Sequence, residues 1–135
     1  MGIIALFSVI LFYIFYVQQI KNQREISVSE SRNFDRLTHV NILASAIDIY
    51  RKKEGKLPGE ITSNPRIICR SDVDTFCADM VNLSPLLNKY LVTFPIDPLG
   101  STVLGTGYVV SKNKRGEIIV SAPNAENDSN IQAIR

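Results

Sequence analysis

The chain has little of what chemistry at a protein site usually needs. It carries one histidine, two cysteines and no tryptophan. That is too few nitrogen and sulfur ligands for a tetrahedral zinc site. No Gly-x-Ser-x-Gly elbow occurs, so nothing points to that hydrolase nucleophile. Gly105-Thr106-Gly107 is not followed by Lys-Ser/Thr and opens no expected helix, which excludes a phosphate loop. His39 falls on a helix surface with no evident partner and reads as structural or solvated, and Ser27, Ser29 and Ser31 read as helix-surface serines. These absences argue against an enzyme. An excess of one charge is also missing. Fifteen basic and thirteen acidic residues leave a net charge of +2, and no basic cluster is interleaved with aromatics, so no nucleic-acid partner is expected. Internal repeats and low-complexity tracts are absent as well.

The front of the chain lacks charge and helix breakers. No Asp, Glu, Lys or Arg occurs from Met1 to Ile20, and neither Gly nor Pro from Ile3 to Glu54. This predicts one long helix, with residues 1–20 as its transmembrane part and 21–54 as its amphipathic continuation. A spanning helix needs about 20 residues, with a lower limit near 17, and a lone segment crosses lipid only as a helix because its backbone groups must pair internally. Tyr13 and Tyr16 suit an interface. A cleaved signal peptide is the competing reading, but the run has no basic region before it and no small-x-small cleavage site after it. Lys21 and Arg24 behind the span favour a cytoplasmic C-terminal side; the cysteines argue the other way.

Phe34, Leu37, Val40, Ala44, Ile47 and Arg51 then recur at 3–4 spacing, with Leu43, Ala46 and Tyr50 beside them. This is the stripe of a helix packed on a core, and Leu37, Val40, Ala44 and Ile47 are expected to carry that packing. Arg32, Asp35, Arg36, Asn41, Asp48 and Lys52 lie largely off the stripe. Lys52 and Lys53 suit the negative end of the helix dipole, Gly55 can take the left-handed stop, and Pro58 prevents resumption.

Residues 55–135 are expected to form a small head. Residues 55–83 read as an irregular loop, in which Cys69 and Cys77 are most simply a local disulfide. Reduced thiols in a cytosolic protein are the alternative; a bridge puts the head outside the cytoplasm. Lys89–Phe94 reads as a strand ended by Pro95. Gly107–Ser111 and Glu117–Ala122 alternate as strands around the hairpin loop Lys112–Gly116, and Ile131–Ile134 reads as an edge strand. Tyr108, Val110, Ile118 and Val120 would face the helix stripe. The expected class is α+β, a long N-terminal helix with a membrane-embedded first half packed on a small antiparallel sheet. The spacing of Asp72, Asp74 and Asp97 matches no calcium loop, and no cofactor is expected from the residues themselves; calcium stays open as an alternative only through a family resemblance.

Several segments in order carry a resemblance. They are Arg32–Gly59 (RNFDRLTHVNILASAIDIYRKKEGKLPG), Cys69 with Cys77, Tyr90–Pro98 (YLVTFPIDP), Gly105–Val109 (GTGYV) and the ending Ser121–Glu126 (SAPNAE). With the apolar helix before them, they resemble type IV pilins and type II secretion pseudopilins, and more narrowly the short pilin-like proteins of uncultured bacterial lineages. The resemblance implies an extracellular filament subunit whose partners are copies of itself, other pilin-like subunits and membrane lipid. It implies a cytoplasmic N-terminus, an exported head, and filament assembly through the apolar helix, here Ile3, Ile4, Ala5, Leu6, Phe7, Val9, Ile10 and Phe12. Two departures stand out. The register puts Met1 about where a mature chain of the family begins, leaving a trimmed or misassigned start and an unprocessed chain as alternatives. Ala5 holds the place of the family's usual glutamate, a carboxylate that can pair with a neighbour's amino terminus in lipid. A minor or divergent subunit is therefore expected rather than the major one. The alternative is an unassembled, single-pass anchored protein whose exported head binds a ligand or partner.

Overall fold

The computed structural model describes residues 2–135, with side chains from residue 7 onward. Helix α1 runs Gly2–Glu54. Four strands follow, β1 (Arg66–Cys69), β2 (Gly105–Lys112), β3 (Ile118–Ser121) and β4 (Gln132–Ile134), with a short 3-10 turn at Ser84–Leu86. The class is α+β: one long N-terminal helix packed on a small antiparallel sheet of order β1-β2-β3-β4. Two compact units divide at Arg32/Asn33.

The described residues of the first unit, 2–32, are helix alone. Its continuity follows from the absence of Gly and Pro between Ile3 and Glu54. Every side chain from Phe7 to Tyr16 is exposed, with the large apolar ones 53–73% accessible. Among the described residues no helix is long and apolar enough to cross a membrane. The expected span of residues 1–20 is therefore not found. Its apolar side chains are described only from Phe7 to Val17, about 16 Å of helix against a hydrocarbon core of about 30 Å. The side chains of the expected assembly residues Ile3, Ile4, Ala5 and Leu6 lie outside the described ones; Phe7, Val9, Ile10 and Phe12 are exposed.

The second unit, Asn33–Arg135, contains the core. Val40, Leu43, Ala44, Ala46, Ile47 and Tyr50 are its helix contribution. Tyr108 and Val110 of β2 and Ile118 and Val120 of β3, all at most 1% exposed, supply the sheet face. Ile68, Val81, Leu83, Leu86 and Phe94 close the layer. The α1 end is made as its residues dictate: Arg51, Lys52 and Lys53 occupy the last turn, and Gly55 takes φ +68° while its N–H donates to the Arg51 carbonyl.

Three expectations need correction. Leu37 is 46% exposed and Phe34 69% exposed, whereas Arg36 and Asp48 are buried. The buried face is thus turned about one residue from the expected stripe and runs through Arg36, Val40, Leu43, Ile47 and Tyr50. Lys89–Phe94 is not a strand. Asn88 takes φ +63°, and its N–H donates to the Leu91 carbonyl while that of Tyr90 donates to Leu86, so the chain turns where the apolar pattern suggested extension. The fourth strand comes instead from the presumed loop. Arg66–Cys69 pairs with β2, with a register shift between Ile67 and Cys69.

Cys69 and Cys77 form a disulfide, with Cα atoms 5.5 Å apart. The turn inside it is held by Val73 N–H donating to the Arg70 carbonyl and Phe76 N–H donating to Asp74 Oδ1. Cys69→Ser is expected to cost about 2–3 kcal/mol by chain-entropy reasoning and to expose residues 70–76 to proteolysis. Limited proteolysis with urea melts measures both; unchanged cleavage and midpoint would show the bridge to be dispensable.

Candidate functional site

Two features of the chain are candidates for function, the uncovered apolar surface of the first unit and a buried polar lock in the second. The lock begins at Arg36, whose side chain is fully buried. The face of α1 that meets the core brings it inward, where it meets two loops. Its Nε donates to Asp97 Oδ2 at 2.8 Å and its Nη2 to Asp97 Oδ1 at 3.3 Å. Its Nη1 donates to Glu126 Oε2 at 2.7 Å and to Asn33 Oδ1 at 2.9 Å. Asn33, one turn earlier on α1, also accepts from the Glu126 N–H and donates to the Glu126 carbonyl.

Asp97 is equally buried, between Pro95 and Pro98 in sequence. Its Oδ1 accepts from the N–H groups of Leu99 and Gly100 at 2.9 and 2.7 Å. The carboxylate thus caps a turn and holds Arg36 at once. Burial alone would raise its pKa; the hydrogen bonds from Arg36, Leu99 and Gly100 more than offset this, and the carboxyl titrates below its ordinary range. The hydrogen bond to Asp97, opposed by burial and aided by Glu126, raises Arg36. Gly107 of β2 makes room for the lock. It takes φ +84°, and a Cβ there would lie 2.7 Å from the Asp97 Cβ and 2.8 Å from the Gly100 carbonyl carbon.

His39, expected to lack a partner, has one. Its Nδ1 lies 2.7 Å from the Tyr108 hydroxyl, and the rings meet edge to face. Burial lowers the His39 pKa and raises that of Tyr108. The pair sits one helical turn from Arg36, so one face of α1 presents Arg36 and His39 to the loop and sheet in succession. At the other end of this helix segment, Asp48 is held below its ordinary pKa by Lys52 and Arg51, and Arg51 Nη1 donates to the Gly116 carbonyl at 2.9 Å.

The acids considered for calcium are otherwise engaged. Asp72 Oδ2 accepts from the Thr93 hydroxyl, Asp74 caps the Phe76 N–H, and Asp97 is saturated by Arg36 and two amides. Among the described residues no group of three or more metal-ligating side chains occurs. Thr106, within the glycine pair that could have suggested a phosphate loop, donates to the Ile68 carbonyl inside the sheet. Of the expected packing residues, Val40, Ala44 and Ile47 meet in the core and Leu37 does not.

The Arg36–Asp97–Glu126–Asn33 lock is hidden in the sequence because charged side chains ordinarily mark solvent. A signal existed. Three separate segments of the sequence, Arg32–Gly59, Tyr90–Pro98 and Ser121–Glu126, each contribute a member of it. Comparison with known proteins finds no matching family model, no matching curated relative and no matching solved structure.

Proposed function

We propose that this chain is a structural subunit, minor or divergent, of a type IV pilus or type II secretion pseudopilus. One observation carries the reading: apolar side chains from Phe7 to Tyr16 are exposed around the whole helix circumference. A helix apolar on all sides is stable only when buried in lipid or among other helices. A filament built on packed N-terminal helices supplies that burial, and a membrane supplies it before assembly. In this reading the protein is held in the cell membrane with its N-terminus inside and residues 33–135 outside. The Cys69–Cys77 disulfide supports export, because such bonds persist in oxidising compartments. The Arg36 lock ties α1 to the loops after Phe94 and Ala122, so force on the helix reaches the sheet unit through buried ion pairs as well as apolar contact. No substrate is turned over.

A second reading has its own observation. Ala5 stands where the family carries its pairing glutamate, which favours a tethered head that does not assemble. Shearing cells, pelleting the fibres and sequencing the protein's N-terminal peptide by mass spectrometry separates the two. Recovery in the sheared fibres is the expected result. Recovery in membranes alone would sink the filament reading and leave the tethered head.

A further inference from the structure

Charge in the second unit is sorted by end. Strand β2 spans eight residues, about 23 Å at 3.3 Å per residue. The segment of α1 from Arg36 to Arg51 covers about 22 Å beside it. At one end Arg51 meets Gly116 of the β2–β3 loop, Lys112 N–H donates to the Thr62 carbonyl, and Lys89 lies 3.8 Å from Glu54. This end exposes Lys52, Lys53, Lys56, Lys112, Lys114 and Arg115, which outnumber the acids Glu54 and Glu60 exposed near them. Among the described residues Lys56, Lys112 and Lys114 have no ion-pair or hydrogen-bond partner for their ammonium groups.

The other end is acidic. Cys69 pairs with Gly105 at the start of β2, the Arg70 N–H donates to the Leu104 carbonyl, and the Asp97 N–H donates to the Thr106 carbonyl. The disulfide loop, the Asp97 turn and the Glu126 loop therefore meet at this end. It exposes Asp35, Asp72, Asp74, Asp79 and Asp128. The disulfide loop also holds Val73 and Phe76 outward, 57% and 68% exposed. A large apolar pair on a stapled turn is a preorganised contact, since little entropy remains to be lost when it is covered.

We propose that the basic end of one copy, built on Lys52, Lys56, Lys112 and Lys114, docks against the acidic disulfide-loop end of a second copy. Lysine stems would cover Phe76 while their ammonium groups face Asp72, Asp74 and Asp79. The two surfaces differ, so the contact is head-to-tail and repeats without closing unless rotation closes it. The inference rests on the filament reading and specifies a contact between sheet units in addition to the helices.

The test uses the full chain in uncharged detergent micelles, followed by sedimentation velocity. Wild type is expected to associate at low salt and to weaken about tenfold between 50 and 500 mM NaCl. Lys112→Glu with Lys114→Glu places two carboxylates in the docking patch of the basic end, and Asp72→Lys with Asp79→Lys places two ammonium groups in that of the acidic end. Each variant alone is expected to lose association, and an equimolar mixture to regain it, with circular dichroism melts confirming that both remain folded. Loss in the single variants without recovery in the mixture would overturn the contact. So would salt-independent association, or no association of wild type. If the protein is nevertheless found in sheared fibres, the end-to-end contact fails and the filament reading survives; absence from fibres is the separate failure of that reading.

Discussion

Ile47→Asp is expected to unfold the sheet unit, whereas Leu37→Asp is expected to change its stability by no more than about 0.5 kcal/mol. The two positions lie on one helix and were equivalent on apolar spacing. Ile47 is 0% exposed and packs in the core, while Leu37 is 46% exposed. A carboxylate at position 47 would stand in the apolar core, where a buried charge neutralises or forces the site open. Even the neutral acid loses the packing of a full isoleucine side chain. The combined cost is at least about 4 kcal/mol, a large part of the roughly 5–15 kcal/mol that holds a domain together. Thermal unfolding of the full chain in detergent, read by near-ultraviolet circular dichroism of its tyrosines, measures both variants. Equal destabilisation by the two would show that the helix buries a different face from the one described.

That contrast also shows where the sequence was readable. A helix without Gly or Pro over residues 3–54 declares itself, because nothing in it opposes the helical backbone. Strands β2 and β3 were legible from alternation, since Tyr108, Val110, Ile118 and Val120 are buried in one core while Val109, Ile119 and Ser121 are only half-buried. Strand β1 was hidden for a physical reason. It has four residues, of which only Ile68 and Cys69 are buried, and its pairing with β2 depends on contacts about 40 residues away that no local pattern reports. The segment 89–94 misled in the opposite direction. Its β-rich composition was overruled by the left-handed turn at Asn88, which an asparagine tolerates better than most residues. The helix phase differs by one residue from the apolar stripe because arginine and aspartate, as a rule solvent-facing, are buried here at Arg36 and Asp48. That rule fails when a charge is paired, and Arg36 is paired on both branches of its guanidinium. The pairing joins residues 61 and 90 positions apart, so only the fold reveals it.

The same pairing makes Asp97→Ala the other severe substitution. Removing the carboxylate leaves the Arg36 Nε and Nη2 buried without an acceptor and frees the N–H groups of Leu99 and Gly100. Breaking a buried pair on one side costs about 3–5 kcal/mol, because the surviving charge stays out of water. Arg36→Met removes that stranded charge, so the double variant Arg36→Met/Asp97→Ala should cost less than the two single changes added together. A remainder persists because the turn amides still lack their acceptor. Acid should reproduce part of this loss in the wild type. The Asp97 carboxyl titrates lower in the folded chain than its ordinary 3.8, so above that value it is ionised in both states and the stabilisation is complete. As pH falls below 3.8, the unfolded chain takes up a proton that the folded chain refuses, and stability declines toward the folded pKa. Urea melts between pH 6 and pH 2.5 measure this slope. It should be shallower in Asp97→Ala than in the wild type, and an unchanged slope would mean that the folded chain gives Asp97 no preference for its charged form.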